Sequence, residues 1–258
     1  MPSLAWLGLA CALLALPALS IYARAQAPAH RAPGSEYPVG NARELVAALR
    51  SADPDAQKAS RAALARADKA MIADLLTYGV GSRRDVGLKV VLRMGRPAIP
   101  AAFELLDDEK AGAAAGGVLF QLLTAQDRDR LPAIAACATA NPRAGVSCAM
   151  TAFKIAAPGA AAHAGALGGC ARAGADEARV YCTAALGRLG AGASAALSDL
   201  LAALKDANPG VRAEAAQALG AAGKGSPKAV AALKVAAADS SPVVAKRAKA
   251  ALKRLTGA

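Results

Sequence analysis

Apolar residues recur along most of the chain with the period of an amphipathic helix, and residues 206–223 show the pattern most clearly. Asn208 is suited to cap a helix, the proline after it is favoured at the first helical position, and Gly223 is a stop signal. The apolar positions between them follow helical spacing: Val211, Ala215, Ala218 and Leu219. The stretch therefore predicts a turn followed by a helix that buries one face.

The same turn-and-helix pattern recurs about every 33 residues toward the C-terminus. The predicted turns lie near Asn141-Pro142, Ala175-Asp176, Asn208-Pro209 and Ser241-Pro242. Further upstream the spacing is looser, with turns near Asp53-Pro54, Ser82 and Glu109. Because each helical hairpin can bury its apolar face only against its neighbours, the pattern predicts an all-α solenoid of about seven hairpins over residues 41–257.

Residues 1–25 have the features of a signal peptide, and residues 26–40, rich in proline and glycine, are expected to be a flexible linker. The run from Leu4 to Ile21 is uncharged, and Ala23-Arg24-Ala25 has the form of a cleavage site. We expect an exported protein, periplasmic or secreted. The alternative is an uncleaved anchor, because no Lys or Arg precedes the run and its length approaches the roughly 20 residues that span a bilayer.

Glycine-containing links between the predicted hairpins carry a resemblance to a known family. Residues 91–106 (VLRMGRPAIPAAFELL) and residues 200–223 resemble HEAT repeats, specifically the short type named after phycobilisome lyases. The resemblance implies an alpha-alpha superhelix whose concave face is built from second helices and commonly binds other macromolecules. It does not imply lyase activity, because function is added to such a scaffold by particular residues.

Aromatic residues make up 3% of the chain and the formal net charge is +12. Few large side chains and many alanines favour helices that approach closely. Between Lys224 and Arg254, Asp239 is the only acidic residue, and the cations are Lys224, Lys228, Lys234, Lys246, Arg247, Lys249, Lys253 and Arg254. This basic end is either a solvated cap on the last repeat or a surface for an anionic lipid, polymer or acidic partner.

Four cysteines remain after the leader, which favours disulfides in an exported chain. Pairing within a hairpin, Cys137 with Cys148 and Cys170 with Cys182, is easier than pairing between repeats, whose helix axes lie about 8–10 Å apart. Free buried thiols and a zinc site are the alternatives, but for zinc the spacings lack the close pairs of cysteines that hold the metal. Such staples would support hairpins weakened by Gly165, Gly168 and Gly169, each of which costs a helix about 1 kcal/mol.

No catalytic motif accompanies the two histidines, His30 and His163, and we expect no cofactor, no metal and no enzymatic activity. Aligning the second helices places Arg84, Arg179 and Arg212 at one equivalent position, with Arg83 beside the first. This arginine ladder either presents guanidinium groups to an acidic partner or pairs with turn carboxylates such as Asp176 and Asp206.

The leading hypothesis is therefore a non-enzymatic scaffold or adaptor in the bacterial envelope that binds a protein on the concave face. Its candidate partner-binding residues are Arg83, Arg84, Arg179, Arg212, Lys246 and Arg247. One alternative is docking of the basic C-terminal repeat on an anionic lipid or polymer. The other is an enzyme or enzyme subunit related to the lyases. Because export argues against a genomic role, no nucleic-acid partner is expected.

Overall fold

A computed structural model describes residues 41–78 and 84–257. The predicted leader and linker lie outside these residues. The described chain divides into two compact units, one ending at Arg66 and the other beginning at Ala67. Each unit is built from helices, and no strand occurs within the described ranges. That residues 41–257 form one continuous solenoid stays a prediction.

The first unit contains one helical hairpin. Its helices are α1 (Ala42–Arg50) and α2 (Pro54–Leu64), and they pack through buried Leu45, Val46 and Ala56. Asp53 caps α2 by accepting a hydrogen bond from the N–H of Asp55 at 2.9 Å. The predicted turn at Asp53-Pro54 is therefore where this hairpin reverses.

The second unit contains six hairpins, each made of a first and a second helix. The first helices are α3 (Lys69–Thr77), α5 (Ile99–Glu104), α7 (Leu131–Ala140), α9 (Ala164–Ala173), α11 (Leu197–Ala203) and α13 (Pro227–Ala236). The second helices are α4 (Arg84–Met94), α6 (Gly112–Leu122), α8 (Gly145–Ile155), α10 (Asp176–Arg188), α12 (Pro209–Ala222) and α14 (Pro242–Thr256). Short 3₁₀ turns lead into α5, α7, α9 and α11.

Second helices pack on second helices throughout this unit, from α4 through α14. First helices form the other layer, where α7 packs on α9 and α9 on α11. Small residues allow the close approach within the second-helix layer. A Cβ atom on Gly220 of α12 would lie 2.9 Å from the Cβ of Ala251 of α14. The alanine-rich composition thus gives helices that stack closely, and the fold class predicted from the sequence, an all-α solenoid, is confirmed within the second unit.

Residues 206–223 fold as their pattern predicts. Asn208 caps α12 by accepting a hydrogen bond from the N–H of Gly210 at 2.8 Å, and the helix ends before Gly223. The predicted apolar positions, Val211, Ala215, Ala218 and Leu219, are all buried. The glycine links reverse the chain as expected, because Gly95, Gly190 and Gly225 take positive φ angles of 69°, 60° and 75° that other residues rarely adopt.

Candidate functional site

The arginines of the predicted ladder are held in ion pairs between consecutive hairpins. Arg179 of α10 donates from Nε and Nη2 to the two carboxylate oxygens of Asp206, at 2.9 and 3.0 Å, and a third nitrogen, Nη1, lies 3.1 Å from Asp176. Asp206 lies in the turn before α12. Only 17% of the Arg179 side chain and 14% of the Asp206 side chain are exposed. This arrangement matches the structural alternative, in which the arginine pairs with a turn carboxylate.

Arg212 repeats the arrangement one hairpin later. It donates to both carboxylate oxygens of Asp239, at 2.8 and 3.0 Å, and to the backbone carbonyls of Asp206 and Ala207. The hydrogen bond from Arg212, supported by the N–H of Ser241, lowers the pKa of Asp239 below its usual value. Arg83 lies outside the described residues, and the side chain of Arg84 does as well, so their roles stay predictions.

Among the ion pairs between repeats that were not anticipated from the sequence, two involve largely buried aspartates. Arg96 donates to both carboxylate oxygens of Asp127, and Arg172 contacts Asp199. Asp127 also accepts hydrogen bonds from the backbone and hydroxyl of Thr124. The Arg96 hydrogen bond, partly opposed by burial, lowers the pKa of Asp127 to about 2. The common separation of 27 residues in the pairs of Arg172, Arg179 and Arg212 is the sequence signal that could have revealed Arg172.

The four cysteines form two disulfides, each inside one hairpin. Cys137 of α7 bonds to Cys148 of α8, and Cys170 of α9 bonds to Cys182 of α10. The Cα–Cα distance is 5.9 Å in both, within the usual range for a disulfide. The pairing is the one favoured by the spacing, and each bond fixes the two helices of its hairpin to each other.

The exposed side of the second helices α8 to α14 forms a groove of about 430 Å³. We call it the second-helix groove. Phe153 projects from α8 and Tyr181 from α10, with ring centroids 6.3 Å apart. Its polar lining residues include Arg188 of α10, Glu214 and Gln217 of α12, and Arg247 of α14. The groove therefore offers an aromatic pair at one side and polar groups along the rest.

Arg188 is held in place at the aromatic side of this groove. Its guanidinium carbon lies 5.0 Å from the Phe153 ring centroid, and its Nε donates to the carbonyl of Ala156 at 2.9 Å. Lys154 makes the equivalent contacts one repeat earlier, 5.2 Å from the Phe120 ring centroid and 2.6 Å from its carbonyl oxygen. Both cations are thus fixed before any ligand arrives.

The candidate residues of the C-terminal repeat differ from each other in their surroundings. Arg247 pairs with Glu214 of the preceding second helix, so it closes the far end of the groove. Lys246, one position earlier, is exposed. The structure thus brings Arg247 into the groove with Tyr181 and Arg188. Arg179 and Arg212 instead lie in the first turns of α10 and α12, where they pair with carboxylates of the following turns. Phe153, Tyr181 and Arg188 were missed by sequence reasoning, because the pattern of one helix does not show which residues meet across repeats.

Within residues 41–78 and 84–257, no group of three or more His, Cys, Asp or Glu side chains is placed to hold a metal ion. His163 ends the 3₁₀ turn before α9 and is half-buried. None of the described helices is both long and apolar enough to span a bilayer.

Comparison with known proteins supports the fold. Residues 167–253 match the family described as HEAT repeats. No curated protein sequence matches the chain with significance. Residues 167–253 are therefore similar to HEAT repeats, and the stacked hairpins in which they lie agree with that match.

Solved structures similar to this chain include repeat solenoids. The crystal structure of an engineered protein is 18% identical, with a TM-score of 0.51 over 84% of this chain and 96% of that chain. A designed armadillo repeat protein in complex with the peptide (KR)4 is 19% identical, with a TM-score of 0.50 over 86% of this chain and all of that chain. Human deoxyhypusine hydroxylase in complex with glycerol is 18% identical, with a TM-score of 0.38 over 84% of this chain and 95% of that chain. These likenesses concern the fold alone.

Proposed function

We propose that this protein is a non-enzymatic scaffold of the bacterial envelope that binds a protein partner in the second-helix groove. The observation that carries the proposal is a pair of groove side chains, Tyr181 and Gln217, whose polar groups are not used in hydrogen bonds between repeats. Tyr181 is half-buried and Gln217 is exposed. Neither side chain has a hydrogen-bond partner among the described residues, so both are free to bind a ligand.

The preformed geometry of the groove favours a peptide segment. Second helices stack with axes about 10 Å apart, which corresponds to about three residues of an extended chain at roughly 3.3 Å each. Side chains at equivalent positions of α8, α10 and α12 can therefore contact every third residue of a bound strand. Because Arg188 is already held over Phe153, it loses little freedom on binding, which favours affinity.

The envelope location is supported by cysteine chemistry. Disulfides form and persist in oxidising compartments such as the periplasm, and this chain carries two of them. Residues 1–25 have the composition of an export signal. Both observations agree with a scaffold that works outside the cytoplasm.

The designed armadillo repeat protein shows that a solenoid with this fold can hold a peptide. The groove here has its own chemistry, an aromatic pair beside Arg188 and a Glu214–Arg247 ion pair at the far end. The partner is therefore expected to place an apolar side chain against Phe153 and Tyr181.

Affinity capture from an envelope extract tests the proposal when a groove variant is compared with a matched control. Arg188→Glu reverses one exposed charge in the groove, and Lys205→Glu reverses one exposed charge in the turn after α11. We expect a discrete protein that survives a wash at high salt on the wild type and on Lys205→Glu, but is depleted on Arg188→Glu. Equal capture by both variants, with both folded by circular dichroism, would reject the groove as the binding surface.

A further inference from the structure

Helix α14 is the second helix of the final described hairpin. It carries lysines on the face that, in the earlier repeats, contacts the next repeat. Gly187 of α10 faces Ala218 of α12. A Cβ atom placed on this glycine would lie 3.5 Å from the Cβ of Ala218. Gly220, 33 residues later, faces Ala251 of α14 in the same way. The equivalent position another 33 residues on is Lys253.

The same replacement of small residues by lysines is found along the whole of this helix face. Gly220 of α12 meets α14, and helical spacing places Ala213 and Ala216 on the same side of α12. All three residues are buried. The equivalent residues of α14 are Lys246, Lys249 and Lys253, and all three are exposed. We call these three residues the C-terminal lysine face.

Helical spacing brings the three lysines together. Positions i, i+3 and i+7 lie within one stripe of an α-helix, and this stripe is on the side of α14 opposite Ala251. No described acidic side chain forms an ion pair with any of the three. Solubility requires that an exposed helix face be polar, but that need does not explain three cations without an anion.

The same hairpin also exposes apolar side chains. Val235 of α13 is 78% exposed and Val243 of α14 is 56% exposed, and no other large hydrophobic residue in the described ranges is classed as exposed. Lysines beside exposed apolar groups are the combination that binds a membrane interface, since the ammonium groups meet lipid phosphates while the apolar groups enter the headgroup region.

We propose that the C-terminal lysine face docks on the surface of an anionic lipid bilayer. Charge complementarity excludes residues 1–40 of this chain as the occupant, because they contain one acidic residue, Glu36, against Arg24 and Arg31. A single-stranded nucleic acid is disfavoured because neither α13 nor α14 carries an aromatic residue on which bases stack. Each lysine near an anionic surface strengthens binding about fivefold, so the three together contribute roughly a hundredfold.

Vesicle sedimentation tests the proposal. The protein is purified in the form that remains after any processing by the expressing cell. The vesicles contain phosphatidylcholine alone or with 30% phosphatidylglycerol. The variant K246Q/K249Q/K253Q removes the lysine face, and K58Q/K89Q/K205Q removes three other exposed lysines, so both variants carry the same net charge. We expect the first variant to lose at least tenfold in affinity for the anionic vesicles, and the second to change less than threefold.

Two further outcomes of the vesicle experiment would overturn the proposal in favour of another explanation. Similar losses in both variants would show that net charge alone is responsible and would overturn the proposal. Tighter binding to polyglutamate than to anionic vesicles, through the same three lysines, would assign the face to an acidic protein and would also overturn it. Val243→Ser is expected to weaken vesicle binding without changing polyglutamate binding, because the valine contributes only where a headgroup region can receive it.

Discussion

Arg179 and Asp206 join two consecutive hairpins through parallel hydrogen bonds of 2.9 and 3.0 Å, across 27 residues of sequence. Arg212 and Asp239 repeat the same pair, at the same separation, one hairpin later. In both pairs the carboxylate also accepts a backbone N–H in its own turn, from Asn208 or Ser241. Each aspartate therefore shapes a turn and binds the preceding repeat at once.

Replacing Arg179 by leucine is expected to lower the free energy of unfolding by about 2 kcal/mol, because Asp206 keeps its partly buried charge without the partner. Arg143→Ala is the control. Its ion pair with Glu109 spans 3.8 Å, with 49% and 83% of the two side chains exposed, so the loss should stay under about 0.5 kcal/mol. Urea denaturation followed by circular dichroism measures both, and equal losses would contradict a stabilising role for the Arg179 pair.

The lowered pKa of Asp127 predicts how the free energy of unfolding depends on pH. Its pKa is lowered from the usual 3.8 to about 2, chiefly by the hydrogen bond from Arg96. A folded-state pKa below the unfolded value means that the stabilisation is present above about pH 4 and is lost as the pH falls toward 2. The loss is on the order of 2 kcal/mol. In Asp127→Asn the decline of unfolding free energy between pH 4.5 and 2.5 should be shallower, and an unchanged decline would refute the assignment.

Two adjacent glycines of α9 are expected to respond in opposite directions to substitution by alanine. A Cβ atom on Gly169 meets open space, so Gly169→Ala should stabilise the protein by up to about 1 kcal/mol through helix propensity. A Cβ atom on Gly168 would overlap the Asp199 carboxylate and displace it from Arg172, so Gly168→Ala should destabilise by about 1–3 kcal/mol. Thermal unfolding distinguishes the two, and shifts of the same sign would show that propensity alone decides.

The two disulfides are expected to contribute about 2–3 kcal/mol each, because each closes a short loop in the unfolded chain. Denaturation with and without a phosphine reductant measures their sum. The double variants C137A/C148A and C170A/C182A separate the two bonds. Thiols that react readily in the oxidised native protein would show that the bonds are not formed.

Local features of the fold were predictable from the sequence, because they depend on neighbours in the chain. The capped start at Asn208, the glycine reversals and the cysteine pairing within hairpins all lie within a dozen residues. The sequence pattern could also place Arg179 and Arg212 at equivalent positions. It left open whether they bind a ligand or a turn carboxylate.

Contacts between repeats could not be predicted from the sequence in the same way. Gly168 has the same helix propensity as Gly169, and only the stacking of α9 on α11 brings Asp199 against it. Phe153 and Tyr181 belong to different second helices, so neither helix alone indicates that their rings meet. The groove depends on the register between repeats, which the period of about 33 residues suggests but does not specify side chain by side chain.

Site-specific photo-crosslinking in the living cell tests the central claim, that the second-helix groove binds a protein partner. A photoreactive phenylalanine is placed at Tyr181 in the groove and, as a control, at the exposed Lys205 in the turn after α11. The account predicts a discrete crosslinked protein at position 181 that is absent at position 205 and is lost when Arg188→Glu is added. Crosslinks at position 205 alone, or none at position 181 while the variant protein is folded and present at wild-type level, would contradict it.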